Sequence, residues 1–428
     1  MVTASAGSKK ARGWVSAVEV SGSQLFLAGT GYLTLVLGGR TLDATGFAAV
    51  TSFYLLLNVA GRGLCSASEL ELTRAVAHAG RDHAGVNAVC RAGARHSAAM
   101  AALAVGAVFA AWPLLDRVFD GDPVLIVLLA LSLPGMATSY LLRGPLAGTR
   151  RYHPYAATYA IEATVVLLFG LVLAILRITD VRWWVLGLAL GPFVATIVVS
   201  VSLRHAARRV LSIGGPADTR AGELVAAVVI LTSTQAVWNL PPVLLTARTT
   251  DTPAIAAGFA AVALVLRIPV LLFPAVQALA LPALAERSRS GGLPPVRVGV
   301  LAVLAALAAA WLAGATALTP LAVHLTFGPL TVPGADVLAV LAGAAVIGSC
   351  AQIAQTALVA HRRQVAAAVV GVTSVAVLLA FAYLAPASSL AAALGLGLTV
   401  SVALAGFALV LWTNRVRERP AATPMAIR

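Results

Sequence analysis

The chain has 428 residues, 60% of them apolar and 11% charged, with a mean hydropathy of +0.93. A soluble domain carries about 45–50% apolar and about 25% charged residues, so a water-exposed globular fold is excluded and the chain reads as an integral membrane protein. The formal charge of +14, from 30 Lys+Arg against 16 Asp+Glu, has no basic domain, zinc-ligand spacing or aromatic-interleaved basic strand behind it, so nucleic acid is not expected as a partner.

A spanning helix needs about 20 apolar residues. Twelve segments meet that length, at 14–38, 44–66, 97–115, 123–142, 155–176, 183–203, 224–246, 253–284, 298–318, 337–359, 365–384 and 390–412. The first follows a short basic stretch (Lys9, Lys10, Arg12) but is too long for a signal peptide and has no clear small-residue cleavage site, so it reads as a retained helix. All connections are short. The longest, 69–95, reads as an extension of helix 2 followed by a turn broken at Gly80 and Gly85. No loop has room for a soluble catalytic domain, so an enzyme is not expected.

Cations in the connections fall on alternate sides in a ratio of 24 to 5. The N-terminus, the C-terminus and the loops after helices 2, 4, 6, 8 and 10 hold the 24, with Arg62 and Arg143 counted among them. By the positive-inside rule both termini lie in the cytoplasm of a multi-pass cell-membrane protein. Cys65, Cys90 and Cys350 form no C-x-x-C; neither a disulfide nor a metal nor a bound cofactor is expected.

Gly46-Phe47-Ala48-Ala49-Val50 opens helix 2, and Gly258-Phe259-Ala260-Ala261-Val262 lies 212 residues later, in helix 8. Arg150-Arg151 and Arg362-Arg363 share that offset, as do Val165, Leu167 and Phe169 with Val377, Leu379 and Phe381. Six helices per half is an even number, so the halves enter the membrane in the same sense, related by a pseudo-two-fold axis along its normal. The predicted fold is an all-α polytopic protein of twelve transmembrane helices in two six-helix bundles. The predicted organisation is a tail at 1–13, bundles at 14–210 and 223–413 joined by a cytoplasmic linker at 211–222, and a tail at 414–428.

Ionisable residues at mid-membrane cost about 2.5–3.5 kcal/mol and face a cavity or a partner. Arg267 is foremost, lying about 22 Å of helix from Thr252 and about 30 Å from Arg287. Pro269 and Pro274 follow it and are expected to bend the helix and free carbonyls. Arg267 reads either as a cavity residue or as half of a structural pair. Glu162 in helix 5 is a candidate partner for it, a protonatable coupling site or a structural contact; Glu19 in helix 1 suits the water-filled inner mouth. In helix 7, Gln235 and Asn239 share a face by their i,i+4 spacing, just before Pro241 and Pro242. They fit a kinked gating wall, or packing through interhelical hydrogen bonds. Asn58 and Arg62 are likewise i,i+4 in helix 2, pointing toward the cytoplasmic mouth, where Arg62 reads as a phosphate contact or an anchor. Tyr155, Tyr159, Trp183 and Trp184 read as interfacial belt residues.

Gly-Phe-x-x-Val in each half, Gly-x-Arg-Arg-Tyr-x-Pro-Tyr (Gly148 to Tyr155), and Arg-Ile-Pro-Val-x-x-Phe-Pro-x-x-Gln-x-x-x-x-Pro (Arg267 to Pro282) resemble the polysaccharide flippases. These belong to the multidrug/oligosaccharidyl-lipid/polysaccharide exporter superfamily, and the resemblance covers nearly the whole chain. It implies a V-shaped pair of bundles around a central cavity, carrying a polyprenyl-pyrophosphate-linked oligosaccharide to the outer leaflet by alternating access. Arg267 and Arg62 would meet the pyrophosphate. Implied partners are the lipid-linked glycan, membrane lipids, and glycosyltransferases or a polymerase of the same pathway. Helix 1 has no interior cation and the chain ends just after helix 12, departures from the lipid II branch that favour another cell-envelope glycan. A cation-coupled multidrug antiporter of the same superfamily is the main alternative, and would favour cavity carboxylates; a non-transporting scaffold of an envelope-assembly complex is the alternative of another class. A major-facilitator transporter is disfavoured, since Gly80-Arg81-Asp82-His83 does not match that family's basic loop.

Overall fold

In hydrocarbon each backbone N–H and C=O must be satisfied within the protein, which restricts spanning segments to helices or closed barrels. The computed structural model describes residues 3–79, 83–207, 221–250, 252–270, 298–360 and 363–418, and every element among them is helical. In chain order these are α1 (Thr3–Thr41), α2 (Ala44–Leu57), a π-helix (Asn58–Cys65), α3 (Ser66–Ala79), α4 (His83–Ala110) and α5 (Trp112–Val118). There follow α6 (Pro123–Gly148), α7 (Tyr152–Ile175), α8 (Val181–Ala207), α9 (Ala221–Arg248) and α10 (Pro253–Leu266). The last four are α11 (Val298–Phe327), α12 (Ala335–Ala360), α13 (Gln364–Leu384) and α14 (Ser389–Glu418).

Eleven of the described helices are long and apolar enough to cross a membrane, and α10 is a shorter apolar helix. Large side chains such as Leu103, Leu168, Ile175 and Leu384 point outward. Alanines, glycines and the phenylalanines Phe47, Phe53 and Phe259 fill the interior. This is the arrangement of a protein whose solvent is lipid, with small residues at helix contacts. The second half of the predicted eighth span, including Pro274, and residues 211–220 of the predicted linker lie outside the described residues.

By proximity the chain divides into two units, Met1–Ala261 with Val323–Val332, and Val262–Ala322 with Pro333–Arg428. In the first, α1 packs along α7, α7 on α8, α3 and α4 on α6, and α9 against the π-helix. In the second, α14 packs along α12 and α13. Several aspartates and arginines of the connections are helix caps. Asp43 accepts from the Gly46 N–H at 2.7 Å to start α2, and Asp122 accepts from Val124 N at 2.9 Å to start α6. Arg40 donates to the carbonyls of Leu325 and Thr326 at the end of α11, a favourable place for a cation. Beside it the Phe327 ring packs against Tyr32 and Phe47 and lies over Gly39, where an added Cβ would stand 3.1 Å from the phenylalanine.

Four local features bear on these expectations. The extension expected after the second span runs through the π-helix into α3 as far as Ala79. α4 runs through Gly85, which is therefore not part of a turn. α9 continues through Pro241 and Pro242. α10 ends at Leu266, one residue before Arg267, because Pro269 has no N–H to give the Val265 carbonyl. Arg267 sits in the resulting turn, its carbonyl accepting from Val270 N at 2.9 Å.

The repeated Gly-Phe-Ala-Ala-Val motif lies in a 14-residue helix each time, α2 and α10, with Phe47 and Phe259 fully buried. Each helix ends at an irregularity that carries an arginine: Arg62 in the π-helix, Arg267 in the proline-induced turn. The π-helix, a rare form often found at functional sites, has local causes. Asn58 Nδ2 donates to the Tyr54 carbonyl at 2.9 Å, and the Ser66 hydroxyl donates to the Arg62 carbonyl. Gly63 lets α9 approach so closely that a Cβ there would lie 2.9 Å from Thr232 Cα. Gly63→Ala must push two backbones apart, an overpacking cost of about 1–3 kcal/mol. Its melting temperature in detergent is therefore expected to fall clearly below that of Gly22→Ala, since a Cβ at Gly22 meets nothing within 4 Å.

Candidate functional site

The most polar part of the described interior lies in the first unit, where α3, α6, α7 and the π-helix meet. On α7, Tyr155, Thr158, Tyr159 and Glu162 recur at i, i+3, i+4 and i+7 and so form one face. On α6, Tyr140 and Arg143 are i,i+3. Arg143 is only 1% exposed, although the loop count had placed it in the connection after helix 4. Its Nε donates to Thr158 Oγ1 at 2.9 Å and its Nη2 to Glu162 Oε2, a buried ion pair. The guanidinium carbon lies 3.8 Å from the Tyr159 ring centroid and 5.1 Å from that of Tyr140. Arg143 thus has hydrogen bonds in its plane and aromatic faces against it, which compensates the loss of water.

A second carboxylate closes the network. Glu69 of α3, 9% exposed, accepts from Tyr155 Oη at 2.7 Å. That hydroxyl lies 3.3 Å from Tyr159 Oη and accepts from Gln24 Nε2 of α1 at 3.4 Å. Apolar groups including Leu146, Val199 and Leu142 surround the tyrosine pair.

Arg62 stands at the edge of this cluster, half-buried, within electrostatic reach of Glu162, Tyr54, Tyr140 and Tyr159. Among the described residues no carboxylate lies at ion-pair distance from it and no acceptor takes a hydrogen bond from its guanidinium. The order Arg62, Glu162, Arg143, Glu69 therefore alternates in sign, with one close pair in the middle and a cation at the open end.

The other sequence candidates are placed differently. Glu162 is paired with Arg143 rather than with Arg267. Asn58 is buried and bonded to its own helix, and its i,i+4 relation to Arg62 does not mean a shared face within a π-helix. Asn239 donates to the backbone and side-chain oxygens of Gln235, at 2.7 and 3.1 Å, so these amides pair along α9. Glu19 meets His153 at 2.6 Å at an exposed end of the α1–α7 seam. Arg267, 8% exposed, belongs to the second unit. Among the described residues no group of three or more His, Cys, Asp or Glu is placed to hold a metal ion.

Sequence reasoning missed Arg143, Glu69, Thr158 and the role of Tyr155 and Tyr159. The i, i+3, i+4, i+7 polar stripe on α7 was the available signal, and it points inward because a polar stripe on a spanning helix avoids lipid.

No family model matches the sequence, and neither does any curated protein. The fold has solved counterparts. An inward-facing multidrug resistance MATE family transporter of the MOP superfamily superposes with a TM-score of 0.66 at 12% identity, over 92% of this chain and 96% of that one. The lipid II flippase MurJ, in an inward closed conformation, gives 0.61 at 10% identity, over 93% and 87%. A MATE protein in its bent conformation gives 0.54 at 12% identity, over 94% of each chain. The chain is a multi-pass all-helical membrane protein with the fold of these transporters.

Removing one partner of a buried, hydrogen-bonded ion pair strands the other charge, at a cost of about 3–5 kcal/mol. Arg143→Ala is expected to lose much of its folded yield and thermal stability in detergent. Arg143→Ala with Glu162→Ala should lose less than the sum of the single changes, and a double-mutant cycle on melting temperature reads that coupling.

Proposed function

We propose that this chain is a flippase that carries a polyprenyl-pyrophosphate-linked oligosaccharide from the cytoplasmic to the outer leaflet of the cell membrane, for cell-envelope polysaccharide assembly. The observation that carries the reading is Arg62. It is a guanidinium without a carboxylate at ion-pair distance among the described residues, beside a cluster whose two carboxyl groups already have partners, Glu162 with Arg143 and Glu69 with Tyr155. A pyrophosphate supplies the oxygens that a planar, permanently charged guanidinium takes up in pairs. Arg267, in the corresponding break of the second half, gives the head group a second cation, and the amides of Gln235 and Asn239 suit sugar hydroxyls. The polyprenyl tail stays in lipid while the head group crosses. The likeness in fold to a lipid II flippase supports this reading.

The fold of the MATE transporters supports a second one, a cation-coupled drug antiporter. An organic cation needs an available carboxylate, and the engagement of both Glu69 and Glu162 favours the anionic substrate. The sequence reading set the lipid II branch aside because helix 1 carries no interior cation. Arg143, buried, and Arg62, half-buried, bring cations into the first unit from α6 and the π-helix instead, which answers that one objection. Glycosyltransferases or a polymerase of the same pathway are the protein partners this function implies.

In proteoliposomes holding a fluorescent polyprenyl-pyrophosphate glycan, Arg62→Ala and Arg267→Ala should each reduce flipping at least tenfold, the effect of losing about 1.4 kcal/mol. Lysine at either position should restore it in part, because it keeps the charge and loses the fork. Energised uptake of ethidium that is insensitive to Arg62→Ala, with no glycan flipping by the unaltered protein, would establish the antiporter instead.

A further inference from the structure

Glu69 has no place in the anion contact just described, yet it is a buried carboxyl with an unusual set of neighbours. Its own helix carries Glu71 and Arg74, which interact with each other at 4.0 Å. α6 contributes Arg143 and Tyr140, α7 contributes Tyr155 and Tyr159, and α1 contributes Gln24 through Tyr155. His96 of α4 lies on the other side of the helix, lining a small cleft with Ser68 and Glu71. Arg143 is the cation within electrostatic reach of Glu69, but its close hydrogen bonds go to Glu162 and Thr158. Glu69 instead accepts its hydrogen bond from a hydroxyl, Tyr155 Oη.

That difference separates the two acids. Glu162 accepts from a guanidinium, which can only donate; a proton on the accepting oxygen breaks the bond. Tyr155 Oη can donate to a carboxylate or accept from a carboxylic acid; in the second case its own proton turns to the Tyr159 hydroxyl, while Gln24 Nε2 donates to it in both. The Glu69 site is built to accommodate either protonation state. The same α1–α7 seam ends in the pair of Glu19 and His153, the latter 88% exposed.

We propose that Glu69 is a proton-binding site whose occupancy sets the anion affinity of Arg62 through the alternating row of charges. With Glu69 ionised, Arg143 is shared between two carboxylates, and Glu162 is left to attract Arg62. When Glu69 takes a proton, Arg143 belongs to Glu162 alone, and Arg62 becomes the uncompensated charge of the cluster. Proton and anion then favour each other's binding, and by linkage the coupling is reciprocal. This rests on the reading of Arg62 as an anion contact, and it adds a coupling ion to that reading.

The probe is farnesyl pyrophosphate, titrated calorimetrically into the purified full-length protein in buffers of different ionisation enthalpy near neutral pH. Unaltered protein is expected to take up close to one proton more per probe bound than Glu69→Gln does. The probe's own phosphates titrate alike in both and cancel. Affinity should fall with rising pH more steeply in the unaltered protein, by up to about tenfold per pH unit for one linked proton, and Glu69→Gln should keep the tight, low-pH affinity. Equal proton uptake in the two proteins overturns the proposal. Infrared spectroscopy of the protein without probe reads the acid directly: a carboxylic-acid band that grows as the pH is lowered below neutral in the unaltered protein, and is absent from Glu69→Gln, is expected. If no such band titrates in the unaltered protein, the proposal is overturned whatever the substrate. If the band is present but Arg62→Ala binds the probe like the unaltered protein, the anion site itself is overturned and the coupling falls with it.

Discussion

The first unit is organised around the ion pair between Arg143 and Glu162. Two opposite charges in the interior of a membrane protein are tolerated only when each satisfies the other and the remaining donors find acceptors. Thr158 takes the Nε proton, two tyrosine rings cover the guanidinium, and Glu162 is seven residues from Tyr155 on the same face of α7. Fixing that face toward α6 also fixes the direction of Tyr155, which in turn ties α3 through Glu69 and α1 through Gln24. The packing of four helices therefore depends on the azimuth of α7, and the pair sets it. Nonspecific apolar packing in lipid has little power to choose one rotation of a helix over another, because the hydrocarbon outside is as apolar as the leucines inside.

Spans, the parallel repeat and the all-helical class were legible because each rests on a property that survives ignorance of tertiary contacts: segment length, mean hydropathy and a shared offset between motifs. Arg143 was not legible. It lies where a 20-residue span would already have ended, so a charge count assigns it to a loop, whereas α6 runs on to Gly148. Glu69 was hidden for the same reason, since α3 extends the second span to Ala77. Tyr155 and Tyr159 carry the amphipathic composition of belt residues, and only the packing of α3 against α6 turns their hydroxyls into internal partners. Pro269, expected to bend the helix, ends α10 beside Arg267. Pro241 and Pro242, with the same chemistry, leave α9 continuous, since a helix held along its length by neighbours can lose two N–H donors without being interrupted.

Arg62 owes its position to an irregular backbone. In a regular α-helix the residue four after Asn58 would lie on the same face; widening the turn rotates Arg62 toward the tyrosines of α6 and α7. Gly61 and Gly63 allow this because they have no Cβ where Met136 and Thr232 approach. Sequence periodicity assumes one helical pitch, so a site created by a change of pitch cannot be found from spacing alone.

The seating of Phe327 over Gly39, with Arg40 closing the last carbonyls of α11, has a consequence for how the protein is made. The first unit includes Val323–Val332, residues translated long after its other helices have entered the bilayer. The hairpin of α1 and α2 must therefore wait in the membrane with the Arg40 guanidinium unengaged and the Tyr32 and Phe47 rings uncovered until α11 is inserted. Packing of the amino-terminal helices is completed by a segment of the carboxy-terminal half, so a truncation that removes Val323–Val332 leaves a defect at the opposite end of the sequence.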